Sequence, residues 1–139
     1  MESSCILINN RLLDDLCEKA TESTRKRMNF NFHESLDAPA QKLLNALQPG
    51  TYVPAHRHSH TSETYIVLRG AIKVFIYNAD GSIISSHILN PCDGEYGIEI
   101  PKGTFHSLEV IDKNTVIFEA KDGPYTPVSE KEMLKNNII

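Results

Sequence analysis

His56, His58 and His60 stand at alternate positions, and Glu63 follows just beyond them. In extended chain, residues two apart point to the same side. His56 and His58 therefore present neighbouring imidazoles while Arg57 points away. After a short turn the Glu63 carboxylate reaches the same place, and no other acidic residue lies between His58 and Gly70. His60 shares the parity but falls in the turn, as an alternative ligand or an outer partner of one. A fourth donor has to come from elsewhere in the chain. The tight turn Pro101-Lys-Gly-Thr-Phe-His106 delivers His106 at the start of a strand. Three imidazoles and a carboxylate suit one divalent transition metal, Fe, Mn, Ni, Co or Zn, without choosing among them. An octahedral ion so held keeps positions open for substrate, water or dioxygen, where a purely structural site would be closed.

Other polar side chains have patterns that would let them line such a site. From Arg25 to His33 the chain alternates, with Met28, Phe30 and Phe32 on one face and Arg27, Asn29, Asn31 and His33 on the other. Such a stripe is either a solvated strand face or the wall of a polar cavity. In a cavity, the guanidinium groups of Arg25 and Arg27 would suit an anionic or hydroxyl-rich ligand. Gln41 and Asn45, one helical turn apart if that stretch is a helix, have a weaker claim. Glu119 and Lys121 share strand parity, as acid/base or anchoring groups or as a surface ion pair of little energetic weight. Tyr65 shares parity with Glu63 but reads as a core tyrosine, and Tyr125 as packing for a closing loop.

The elements that must carry these residues are mostly short strands. One amphipathic helix comes first, with Leu12, Leu13, Leu16, Cys17 and Ala20 at helical spacing behind an asparagine cap. Residues 37–45 are ambiguous, and Pro39 could open a short helix that packs Leu43, Leu44 and Leu47 inward. Beyond Leu47, turn signals such as Arg69-Gly70, Asp80-Gly81, Asp93-Gly94 and Asp122-Gly123 divide runs rich in Ile, Val, Phe and Tyr. Those runs are Thr64–Leu68, Ile72–Tyr77, Ile83–Leu89, Ile98–Ile100 and Val116–Ala120. Short strands at this spacing predict a sandwich or barrel. The expected organisation is one structural domain: residues 1–48 packed on a barrel of residues 49–127, then a tail, 128–139, with a short closing helix.

Composition sets the limits. A chain of 139 residues with 40% apolar and 23% charged side chains is sized for one globular domain. A formal net charge of −4 argues against nucleic acid or an anionic membrane as partner. The longest apolar runs are too short to cross a bilayer. The amino terminus lacks the pattern of a secretory signal. Cys5, Cys17 and Cys92 are odd in number and far apart, which reads as reduced thiols in a cytoplasmic protein.

Gly50 to Gly70 reads G-x5-H-x-H-x4-E-x6-G and Pro101 to His106 reads P-x-G-x2-H. These resemble the two motifs of the cupin superfamily, in the right order. The second match is incomplete. Glu95 stands where the family has a glycine, with Gly94 one residue early, and Val110 replaces an asparagine. A closer resemblance, from about Leu12 to Pro127, is to the WbuC-type cupin metalloproteins. It is carried by Arg27–His33, Gln41–Ala46, Gly50–His58 and Glu119–Tyr125. The chain departs from that type at its end, Met-Leu-Lys-Asn-Asn-Ile-Ile.

The resemblance implies an all-β double-stranded β-helix, or jelly-roll barrel, with a short amino-terminal helix. It also implies a bacterial cytoplasmic protein tied to surface-polysaccharide biosynthesis and, as is common among cupins, a homodimer. The expected partner is a small molecule: a sugar, sugar phosphate or nucleotide sugar. An isomerase or epimerase is one expectation, an Fe(II)-dependent dioxygenase a second, and a sensing module without turnover a third. The catalytic residues stay open.

Overall fold

The computed structural model describes residues 4–134. The helix α1 (Asn10–Glu22) starts behind Asn9, whose side chain accepts a hydrogen bond from the Leu12 amide at 3.1 Å. Eight strands follow: β1 (Arg27–Asn31), β2 (Ala40–Leu47), β3 (Glu63–Arg69), β4 (Ile72–Tyr77), β5 (Ile83–Leu89), β6 (Gly97–Ile100), β7 (Phe105–Val110) and β8 (Thr115–Asp122). They form two antiparallel sheets, ordered β1-β2-β8-β3-β6 and β5-β4-β7. Inward side chains of both sheets make one core, in which Leu47, Val67, Ile72, Val74, Leu108 and Ile117 are buried. This is the jelly-roll arrangement of an all-β double-stranded β-helix with one short helix. No helix among the described residues is long and apolar enough to cross a membrane.

Helix α1 lies on the outer face of the five-stranded sheet, where Leu13, Leu16, Cys17 and Ala20 pack on Leu44, Ala46 and Val116. Met28, Phe30, Phe32 and Phe118 close the edges of that second cluster. The polar face of β1 is thereby turned to the barrel side. Gln48 fastens the helix to the sheet. Its Nε2 donates to Cys17 O and to Asn114 Oδ1, and its Oε1 accepts from the Asn114 amide.

Residues 40–47 correct the expected short helix. They form β2, hydrogen-bonded to β1 on one side and β8 on the other. A central strand covered on both faces buries successive residues, so its apolar run loses the two-residue period. Leu47 points into the barrel core and Leu44 toward α1. Their spacing imitates a helix. Residues 27–47 thus supply two strands of the larger sheet. The expected closing helix is a single 3-10 turn at Glu130–Glu132, with Ile138 and Ile139 outside the described residues.

Gly70 shows why the first motif ends in glycine. It turns β3 into β4 with a φ of +83°, and a Cβ there would sit 2.8 Å from the Thr115 Cα. A side chain meets both backbone strain and a clash at that point. Gly94 has a φ of +81° and closes the 3-10 turn Pro91–Asp93 in the loop before β6.

Candidate metal centre

His56 and His58 lie in an extended segment outside both sheets. The His56 amide donates to His106 O at 3.0 Å, and the His106 amide donates back to His56 O at 2.8 Å. This reciprocal antiparallel pair sets the two side chains on one face. His58 follows on the same side, and its carbonyl accepts from the Gly103 amide at 2.8 Å, so the glycine of the second motif braces the first. Glu63 opens β3, opposite Lys121 of β8 and Ile100 of β6.

The structure brings the four expected donors together. One ligand atom from each of His56, His58, Glu63 and His106 lies within 4.8 Å of the others. His106 Nε2 is 3.1 Å from Glu63 Oε1, and His58 Nε2 is 3.7 Å from Glu63 Oε2. His56 Nδ1 sits 2.9 Å from Pro54 O and His106 Nδ1 2.9 Å from Thr104 O. A carbonyl only accepts, so each Nδ1 carries the proton and each Nε2 turns a lone pair to the centre, as in metal-bound histidines. His106 Nε2 and the Glu63 carboxylate then face each other as two acceptors. A cation between them reconciles that contact, and neighbouring ligands at about 2.1 Å from a common ion stand about 3 Å apart. The donors fit a divalent metal.

The electrostatics also favour metal-ready donors. Burial foremost holds the His58 imidazolium down at about 4, and burial with the adjacent His106 lowers His56. Burial would raise Glu63, but the adjacent His106 ring and the Lys121 charge outweigh it and hold the carboxyl at about 2. Tyr65 donates to Glu63 Oε1 at 2.8 Å, and Lys121 Nζ lies 3.5 Å from Oε2. An unfolded chain takes up histidine protons near pH 6.5 that the folded chain refuses until about 4, so metal-free stability declines as pH falls through that window. Glu63 adds a further decline between about 4.5 and 2. Melting curves of the metal-free protein at stepped pH are expected to show both.

A cavity of about 310 Å³ opens above the cluster. Arg25, Arg27 and Asn29 form one wall, and Asn45, Glu119 and Lys121 another. Tyr125, Val128 and Met133 close it from the end of the chain. Glu119 Oε2 accepts from Asn45 Nδ2 at 2.9 Å. Burial, then the negative charge of Glu63, lift the Glu119 carboxyl to about 7 against the pull of Lys121. A larger hollow of about 640 Å³, beside Arg57, Phe105 and Glu130, holds no grouping of metal donors among the described residues.

Three expected site residues lie outside the cavity wall. Asn31 is exposed at the sheet edge. His33 has its Nδ1 pinned between the amide and carbonyl of Lys42, at 3.2 and 3.1 Å. Gln41 is buried, with Nε2 donating to Ala38 O at 3.0 Å, so its amide braces the loop before β2. His60 is exposed, 6.5 Å from the His58 ring. Conversely, Tyr65 belongs to the site rather than only to the core. Its parity with Glu63 is the sequence signal for that role. Of the two weaker candidates, Asn45 reaches the cavity wall and Gln41 does not, because the two stand on a strand and not one turn apart on a helix. The three cysteines are free, with Cys17 buried and Cys5 and Cys92 exposed.

Residues 8–89 match a family described only as a domain of unknown function (DUF6016). The chain belongs to that family. The matched span of this DUF6016 member holds His56, His58 and Glu63 and stops before His106. No curated protein matches the chain. Its fold is that of the cupins. KdgF from Halomonas sp. is 14% identical with a TM-score of 0.57, over 72% of this chain and 82% of that one. The Cnp3 cupin domain of Schizosaccharomyces pombe is 13% identical with a TM-score of 0.55, over 73% and 63%. CapF of Staphylococcus aureus, described as a capsular polysaccharide assembling protein, is 18% identical with a TM-score of 0.57. That likeness covers 71% of this chain but only 27% of CapF.

Proposed function

We propose that the protein is a metal-dependent cupin that moves a proton on a small, anionic, hydroxyl-rich substrate of the sugar type, as an isomerase or epimerase does. The observation that carries this reading is Glu119. Its carboxyl faces the same cavity as the four metal donors, is held by Asn45, and in the metal-free protein is raised to about 7, which leaves it near the working range when the ion's charge lowers it. A general acid or base works best when its pKa lies near the working pH. His56, His58, Glu63 and His106 hold the metal, which supplies Lewis acidity to polarise a carbonyl or hydroxyl oxygen. Glu119 takes a proton from the carbon beside that carbonyl and returns it either to the same carbon or, once the hydroxyl proton on that carbon has passed to the former carbonyl oxygen, to the adjacent carbon, ending in its starting state. Arg25 and Arg27 bind the anionic end of the substrate. Tyr65, whose burial pushes its hydroxyl well above its usual pKa, stays protonated and steadies Glu63.

The protein then works in the bacterial cytoplasm, as a homodimer in surface-polysaccharide biosynthesis. Support comes from the WbuC-type resemblance and from the description of CapF as a capsular polysaccharide assembling protein. Metal-loaded protein incubated in deuterated water with sugar phosphates and nucleotide sugars is expected to wash deuterium into a carbon position of one of them. Oxygen uptake with Fe(II) and no exchange would replace this reading with a dioxygenase. Tight binding with neither signal would replace it with a sensor.

A further inference from the structure

The segment carrying His56 and His58 has two edges. Its inner edge pairs with His106 as described, and its outer edge is closed by the carboxyl-terminal chain. Leu134 N donates to Ala55 O at 3.1 Å and Arg57 N donates to Glu132 O at 2.9 Å, setting Met133 opposite His56. The ligand segment is thus the middle of three antiparallel chains. Leu134 is buried with Ala55 and Phe105, which anchors the outer chain from below. Glu132 fastens it from the side. Its Oε2 accepts from the Ser59 amide at 2.9 Å, immediately after His58, while Oε1 accepts from the amide and hydroxyl of Ser129 at 3.0 and 3.1 Å. One carboxylate spans the ligand segment and the start of the closing turn.

We propose that Glu132 is a positioning residue for the metal centre, its carboxylate locking the Ser129–Leu134 segment against the chain that bears His56 and His58. The inference rests on the metal-binding reading of the four donors. The ring centroids of His56 stand 5.0 Å from His58 and 4.6 Å from His106. A preformed site of this kind depends on groups that fix the ligands from behind. Without Glu132 the Ser59 amide loses its acceptor and, among the described residues, the outer edge of the segment is held by Leu134 and the Arg57 amide alone. Met133 also lines the cavity, so movement of this strap alters the floor and the wall together.

The test titrates the metal-free full chain with Co(II), following its visible absorption and measuring affinity against a competing chelator. Thermal unfolding without metal is recorded separately. Glu132→Ala is expected to bind Co(II) about 10- to 100-fold more weakly, with an altered cobalt spectrum and a metal-free melting midpoint close to wild type. Glu132→Gln keeps one carbonyl oxygen and is expected to fall between the two. If the alanine chain does not fold, the glutamine chain decides by the same readouts. Affinity within about twofold of wild type in a folded variant, whatever its stability, overturns the positioning role. Wild-type protein that binds no Co(II) overturns the metal reading and this inference with it.

Discussion

Glu63→Gln protein is expected to bind divalent metal roughly 100-fold or more weakly than wild type, because even groups behind a ligand are worth about 10- to 100-fold. Glu63 is the only anion among the four donors and is 3% exposed. One carboxylate oxygen receives the Tyr65 hydroxyl and faces His106, and the other faces Lys121 and His58. Glutamine leaves the Lys121 ammonium without its counter-charge beside the ion. An ammonium and a divalent ion about 4 Å apart repel by on the order of 8 kcal/mol at an effective dielectric of about 20. The new amide N–H2 also points donors at groups that need an acceptor. Elemental analysis after dialysis, with a chelator competition, reads the effect. His58→Ala and His106→Ala are expected to lose metal in parallel. Unchanged metal content in Glu63→Gln and His106→Ala would remove the basis for a metal centre here.

Much of this site was legible in the sequence, for a physical reason. The two-residue strand period fixes which side chains share a face, so His56 and His58, and likewise Glu119 and Lys121, could be paired without knowing the fold. The same rule reached Tyr65 through Glu63, but an aromatic in a strand is more often core, and the hydroxyl contact is visible only in three dimensions. Along β1 the period chose the right face and not the right length. Arg25, Arg27 and Asn29 reach the cavity, whereas Asn31 is exposed and His33 is held by the Lys42 backbone. The strand β2 was obscured because both of its faces are covered. The Ser129–Glu132 half of the strap is a local capping-box pattern, but its bond to Ser59 leaves no local trace. It joins Ser59 to a residue far along the chain, and only the closed barrel brings the two together.

Glu119→Gln separates proton transfer from metal binding. The substitution keeps shape and the hydrogen-bond partner Asn45 but removes the titrating group, so deuterium exchange into substrate is expected to fall by about 10²- to 10⁴-fold, with metal content close to wild type. Stability should move the other way. The folded carboxyl titrates at about 7 and an unfolded glutamate near 4.5. Between those values the folded state binds the extra proton, so metal-free stability drops as pH rises from about 4.5 through 7. Glutamine abolishes that drop, because no buried carboxylate has to ionise, and the variant is expected to be more stable than wild type at pH 8 and nearly equal at pH 4.5. Metal charge nearby pulls the Glu119 proton off at lower pH, so the exchange rate of the loaded wild type should rise through a pH below 7 and that ascending limb should vanish in the variant. A Glu119→Gln protein that exchanges substrate protons at the wild-type rate would move the acid/base role to another group in the cavity, while a loss of metal along with activity would show that Glu119 serves the ion and not the substrate.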